Sequence, residues 1–323
     1  MGLKIAQKLP LAMVGSALLV SAGVGIASYF IGSVTVEQMS QRQLQTGATE
    51  RAAEFANYLR TIEADFVTTA TAENTAIIMR DFWQAWGEFA IRKPPQDAAE
   101  TLRRGFIDNN PNPAGKRQLL DMADSADKGD PDYYQFVHPK VHPTFRRQVE
   151  TRGYADLFFI DASGVVVYSV MKKDEFGRSV AKGGGYENTG LGRAFRSAMN
   201  LTAPGQPVYE DVSAYAPSGK TPSAFLATPI FDVRKKVIGV LAIEMPVVPI
   251  MRMMQDNANL GTTGESFLVG TDHLFRSDSL FSEGNDTLVT KYQNPVVDAA
   301  FAGKSWRGVT TEYRGMRMLA TAT

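Results

Sequence analysis

The spacing of apolar positions changes twice along this chain. Residues 9 to 36 carry no charged side chain, in a run bounded by Lys8 and Glu37 that has no counterpart downstream. As a helix rising about 1.5 Å per residue the run reaches about 40 Å, more than the ~30 Å hydrocarbon core of a bilayer, which predicts one membrane crossing. Lys4 and Lys8 precede it, whereas Glu37, Arg42, Glu50 and Arg51 follow. That lysine-rich flank predicts a cytoplasmic N-terminus, with nearly everything after residue 36 outside the cytoplasm. A cleaved signal peptide is the alternative, with Ala27 and Ser28 small enough for cleavage. Its apolar region would run only about 7 to 15 residues, which favours a retained anchor.

From Glu37 to about Ile91 the period becomes helical. Ala48, Ala52, Phe55, Leu59, Ile62 and Phe66 recur at steps of four and three, close to the seam of a coiled coil, with Glu50, Arg51, Glu54, Arg60 and Glu63 opposite. The stripe predicts a homodimer seam near the membrane. The later positions Ile77, Ile78, Phe82, Trp83, Trp86 and Phe89 are expected to pack on the chain's own domain. Pro94 and Pro95 stop the helix. Shorter helices are predicted near 97–107, 115–126 and 140–152, and the cluster from Asn109 to Pro113 forms the loop between the first two.

Beyond Gly153 runs of β-branched and aromatic residues take over. Residues 156–160 and 165–170 flank the turn sequence Asp161-Ala162-Ser163-Gly164, and 223–231 and 237–244 flank a second polar turn, so two hairpins are predicted. An amphipathic helix over 186–199 lies between them. Residues 159–169 and 267–277 share a pattern, a weak internal repeat that predicts two tandem modules. The second would begin after a helix over 248–257 and continue through 290–302 to a last hairpin, 308–314 with 316–322. The expected organisation is a cytoplasmic segment 1–8, a transmembrane helix 9–36, a stalk helix 37–92, a helical segment with a membrane-distal module 93–247, and a membrane-proximal module 248–323. The fold class is α+β, with antiparallel sheets. The chain stops inside its last predicted strand, which reads as a fragment or truncated product of a longer protein.

Composition narrows the chemistry. The 34 basic and 34 acidic residues balance, and no basic block interleaves with aromatics, so nucleic acid is not an expected partner. Cysteine is absent, which removes disulfides, thiolate metal sites and cysteine nucleophiles. His138 and His142 each precede a proline, so they are expected in a surface loop and not as a metal-binding pair on one helix. Gly183-Gly184-Gly185 and Gly190-Leu191-Gly192 lack the lysine and spacing of a phosphate loop. No carboxylates are specifically paired for catalysis. No enzyme activity, cofactor or metal is expected.

Six stretches, in order, resemble the extracytoplasmic double Cache sensor of bacterial methyl-accepting chemotaxis proteins: GYADLFFIDASG (153–164), VYSVMKKDEFG (167–177), GLGRAF (190–195), APSG (216–219), AFLATPIF (224–231) and GTTGESFLVG (261–270). The resemblance implies two PAS-like modules above a stalk helix, a small-molecule ligand, a homodimer in the bacterial inner membrane with most of the chain periplasmic, and chemotaxis signalling partners reached through a cytoplasmic region absent from this chain. Similar modules sit on histidine kinases and nucleotide cyclases, the alternative output; a membrane-tethered binding protein without signalling is a third. The Arg-x-Trp-Tyr element of amino-acid-binding versions is missing. In PAS-like modules the ligand lies between the sheet and the elements over it, so the candidate ligand-binding residues are Tyr154, Asp156, Tyr168, Lys172, Tyr209, Asp211, Tyr215 and Phe225. Each has a bland counterpart, with the tyrosines completing the core and Asp211 capping a turn.

Overall fold

The structure, a computed structural model, describes residues 5–92, 95–123, 133–257 and 260–323. Helix α1 runs from Ile5 to Thr71. Its apolar N-terminal part is bare, with Leu18, Leu19, Tyr29 and Ile31 all more than 60% exposed. Among the described residues it is the one helix long and apolar enough to cross a membrane. The single helix predicted to Ile91 is in fact two, because the chain bends at Ala72 before α2 (Glu73–Arg92). The Thr75 hydroxyl takes the Thr69 carbonyl at 2.6 Å, satisfying an acceptor at the end of α1.

Helix α3 (Pro95–Arg103) continues into a wide turn over Arg104–Asp108, and only a short turn, Arg117–Leu119, forms where a helix over 115–126 was expected. Residues 124–126 lie outside the described residues, as do Pro94 and the side chains of Phe89 and Pro95. Helix α4 spans Tyr133–Arg152 and corrects the histidine reading. Both Pro139 and Pro143 sit inside it, so His138 and His142 do occupy successive turns of one helix, fully buried and stacked with centroids 4.3 Å apart. A proline forfeits one donor per turn, and packing of Val137, Phe145 and Val149 into the core holds the helix together regardless.

The main sheet is five-stranded and antiparallel in the order β2-β1-β5-β4-β3, where β1 is Asp156–Asp161, β2 Val166–Ser169, β3 Val208–Tyr215, β4 Thr221–Phe231 and β5 Val237–Glu244. Both faces are covered, which explains why the strands read as nearly unbroken apolar runs. Leu157, Phe159, Leu241 and Ile243 point to α1, α2 and α4, whereas Phe158, Ile160, Val240 and Ala242 point to helix α5 (Gly190–Met199). Thr189 caps α5, and Gly190 lets it settle: a Cβ there would stand 2.8 Å from the Phe225 ring. Pro229 is tolerated inside β4 because the pairing with β3 ends at Ala227.

The seam on α1 divides. Ile62 and Phe66 are buried in the chain's own core and Leu59 packs against it, whereas Ala52 is exposed and Ala48 and Phe55 are half-buried. In the second stripe, Ile78 and Phe82 are buried as expected but Trp83 is 62% exposed. The C-terminal region contains α6 (Val248–Gln255), α7 (Pro295–Phe301) and the hairpin β6 (Trp306–Thr311) with β7 (Arg317–Ala322). Its core gathers Phe267, Phe275, Tyr292 and Tyr313. The repeat of the first hairpin survives there as isolated bridges, Val269 with Phe275 and Leu274 with Lys291.

Candidate ligand site

The turn after β2, Lys172-Lys173-Asp174-Glu175, organises the site. Asp174 is gripped from outside by Arg103 at 2.6 Å and by the Tyr186 hydroxyl, and those two partners, Tyr186 foremost, pull its carboxyl below the usual range. Arg103 also donates to the carbonyls of Asp174 and Phe176. The turn therefore has a fixed shape, and it sends Lys173 and Glu175 to the α5 side of the sheet.

There they meet the first residue of β1 and the last of β5, which pair directly: Asp156 with Glu244. Glu244 is fully satisfied, its Oε1 accepting from Ser218 at 2.8 Å and Ser223 at 2.7 Å and its Oε2 from Lys173 at 2.5 Å. Lys173 spends its other donors on Ser218 Oγ and the Ala155 carbonyl. Burial lowers the Lys173 pKa, but Asp156, Glu244 and Glu175 outweigh it and the ammonium is held. Asp156 Oδ1 accepts three backbone N–H groups, from Leu157, Val170 and Met171.

What remains is a set of buried oxygens with no hydrogen-bond partner: Asp156 Oδ2, which has Lys173 Nζ at 4.0 Å, both oxygens of Glu175, and the Tyr215 hydroxyl. All three residues are fully buried. They lie in one electrostatic neighbourhood, since Asp156 acts on Glu175 and both act on Tyr215. Burial, with Glu244 adding to it, pushes Asp156 up to about 6, and burial followed by Asp156 lifts Glu175 well above the usual carboxylate range. Phe225 closes the wall, its ring 4.9 Å from that of Tyr215 and edge-on to it. An unmet buried polar atom costs about 1–3 kcal/mol. Several in one place suit a guest rich in N–H donors. Among the described residues no group of three or more metal-ligating side chains forms.

The eight residues singled out from sequence fall into five places. Asp156, Tyr215 and Phe225 come together here. Tyr168 and Lys172 lie on the opposite face, where Tyr168 donates to His142 Nδ1 at 2.8 Å and His142 Nε2–H donates to the Gln118 carbonyl. Tyr154 is buried near Tyr58, Asp65 and Arg152, and burial chiefly pushes it up to about 12. Tyr209 lines an open cleft of about 250 Å³ with Leu59, Glu63 and Met245. Asp211 stands on the exposed side of β3 and takes Arg276 Nη2 at 2.9 Å. Glu175, Glu244, Lys173, Ser218 and Ser223 were not read as site residues. The signal for them was a charged Lys-Lys-Asp-Glu step flanked by Val170 and Phe176, and an acid closing the apolar strand β5.

No protein-family model matches the sequence, and no curated protein matches it. Among solved structures, the chain is similar to the sensor domain of the V. cholerae histidine kinase DctB, with 10% identity over 74% of this chain and 67% of that one and a TM-score of 0.43. It is also similar to the ligand-binding domain of the Pseudomonas fluorescens chemoreceptor CtaA in complex with L-serine (12% identity, 74% and 77% covered, TM-score 0.31) and to that of the Pseudomonas aeruginosa PAO1 chemoreceptor PctC in complex with GABA (13%, 81% and 89%, 0.37). Likenesses this distant assign the chain neither ligand nor output.

Proposed function

We propose that this chain is the membrane-anchored, extracytoplasmic sensing part of a chemoreceptor, and that it binds a small cationic amine between the sheet and α5. The observation that supports the reading is the set of unpartnered buried oxygens on Asp156, Glu175 and Tyr215. Among the described residues the cation beside them on this face is Lys173, and its donors are already engaged. An ammonium offers up to three N–H donors to those acceptors. The bare apolar part of α1 anchors the module, and the rest of α1, packed on β4 and on the C-terminal hairpin, carries a displacement toward the membrane. The module itself performs no chemistry in this reading, and its output is the chemotaxis machinery.

Isothermal titration of the full chain in nanodiscs against panels of amines and of carboxylic acids tests the site. A bound amine should lose about tenfold or more in affinity on Glu175→Gln or Tyr215→Phe, given about 1.4 kcal/mol per decade. Unchanged affinity in both variants would dismiss the site.

A further inference from the structure

The other face of the same turn carries a buried amine that the ligand site does not use. Lys172 has φ of 53°, a left-handed conformation uncommon for a residue with a side chain. That twist sends its side chain toward α4 while Lys173 reaches Glu244 and Ser218 on the other side. Nζ lies 4.3, 5.1 and 5.4 Å from the ring centroids of Tyr168, Phe176 and Phe106. Its acceptor is the Ser169 carbonyl, and among the described residues no carboxylate stands within ion-pair distance. Beside the same rings, His138 donates Nδ1–H to the Asp121 carbonyl at 2.8 Å, which leaves Nε2 a bare acceptor with no partner.

A buried ammonium without a counter-ion sheds its proton readily. Burial brings Lys172 down to about 7, against an upward pull from Asp156 and Glu175. His138 is held neutral by burial, then by Lys172 and His142. The cluster thus brings a nucleophilic amine and a free base to the same group of rings. Three ring centroids stand within 5.4 Å of Nζ, surroundings that suit a small apolar electrophile.

We propose that Lys172 is a carbon dioxide site, where the free amine adds reversibly to CO₂ to form a carbamate. The nitrogen lone pair forms the new N–C bond, one C–O π pair moves onto oxygen, and the proton leaving nitrogen goes to His138 Nε2. Two neutral groups become a carbamate–imidazolium pair, with no change of oxidation state. Arg117, whose guanidinium donates to the Lys172 carbonyl at 3.2 Å, and Arg146 on α4 favour the new anion. Asp156 and Glu175 oppose it, and His142 is neutral.

The test is chemical trapping. The full chain in nanodiscs, equilibrated with ¹³C-labelled CO₂ and bicarbonate, is alkylated with a trialkyloxonium salt, digested and mapped by mass spectrometry. The expected result is an alkyl carbamate on Lys172 whose yield rises with pH across the neutral range and falls several-fold in His138→Phe. Mapping on the wild-type chain keeps the test valid even where Lys172→Arg does not fold. Label confined to exposed lysines such as Lys182 and Lys235, or label on Lys172 indifferent to pH, would overturn the proposal.

Discussion

Asp156 and Glu244 face each other across the β1–β5 pairing, and a single ammonium, Lys173 Nζ, stands 2.5 Å from Glu244 and 4.0 Å from Asp156. Removing that cation leaves two buried carboxylates uncompensated, a loss of about 3–5 kcal/mol. Lys173→Met should therefore destabilise strongly, and adding Glu244→Gln should restore a large part of the loss. Chemical denaturation of the single and double variants measures this. Equal stability of Lys173→Met and wild type would mean the pair is solvated.

The two faces of the sheet respond to pH in opposite senses. His142 is lowered to about 3, by burial and then by Lys172, so its neutral form contributes stability above the unfolded value near 6.5. That contribution, on the order of 4 kcal/mol, drains away as pH falls from about 6.5 toward 3. Asp156 is raised, so its protonated form is favoured in the fold and its contribution is lost as pH rises from its unfolded value, near 4, through about 6. Thermal unfolding against pH should show His142→Asn flattening the acid limb and Asp156→Asn flattening the stretch from about 4 to 6. Parallel curves for either variant and wild type would remove that assignment.

Asp211 belongs to a different relationship. Arg276, only 9% exposed, bridges Asp211 on β3 and Asp272 in the C-terminal region, at 2.9 and 3.0 Å. The carboxylates are about half exposed, so the pairs contribute little to overall stability, of the order of 1 kcal/mol or less. Asp211→Ala should leave amine affinity within about twofold, while Arg276→Met should loosen β3 from the turn at 270–276. Hydrogen exchange of those two segments reads the second effect, and a tenfold loss of affinity in Asp211→Ala would return that residue to the ligand site.

The main sheet was legible in sequence because its hairpins announce themselves. Asp161 really does cap the 161–164 turn, accepting from Ser163 and Val165, and β4 and β5 lie where their apolar runs place them. Strand β3 was missed because it is an edge strand with Glu210, Asp211 and Ser213 on it and a bulge between Glu210 and Ser213, which hides the alternation. A second irregularity misled the site prediction. The β1–β2 register skips Val167, so Val167 and Tyr168 both turn to α4 and Tyr168 leaves the face it was expected to share with Tyr215. Burial of Glu175 and Lys173 depends on how the 172–175 turn is held by Arg103, some seventy residues earlier, and no local pattern encodes that contact.

The division of the α1 stripe sets how two copies of the chain would meet. A parallel dimer seam over the whole stripe is excluded by Ile62 and Phe66, which are committed to the core of their own subunit. The part still available is Ala48, Ala52 and Phe55, on the side of the apolar stretch of α1, where the two alanines permit close helix approach. Cysteines introduced at Ala48 or Ala52 should crosslink between subunits in membranes faster than cysteines at Ile62 or at Glu54 on the flank. A bound amine should change the rate at Ala52, because a ligand acts on the transmembrane helix only by favouring one arrangement of it over another. Crosslinking as fast at Ile62 as at Ala52 would require the core contact of Ile62 to open in the dimer. A rate at Ala52 insensitive to an amine that demonstrably binds would leave the dimer intact and take α1 out of the signalling path.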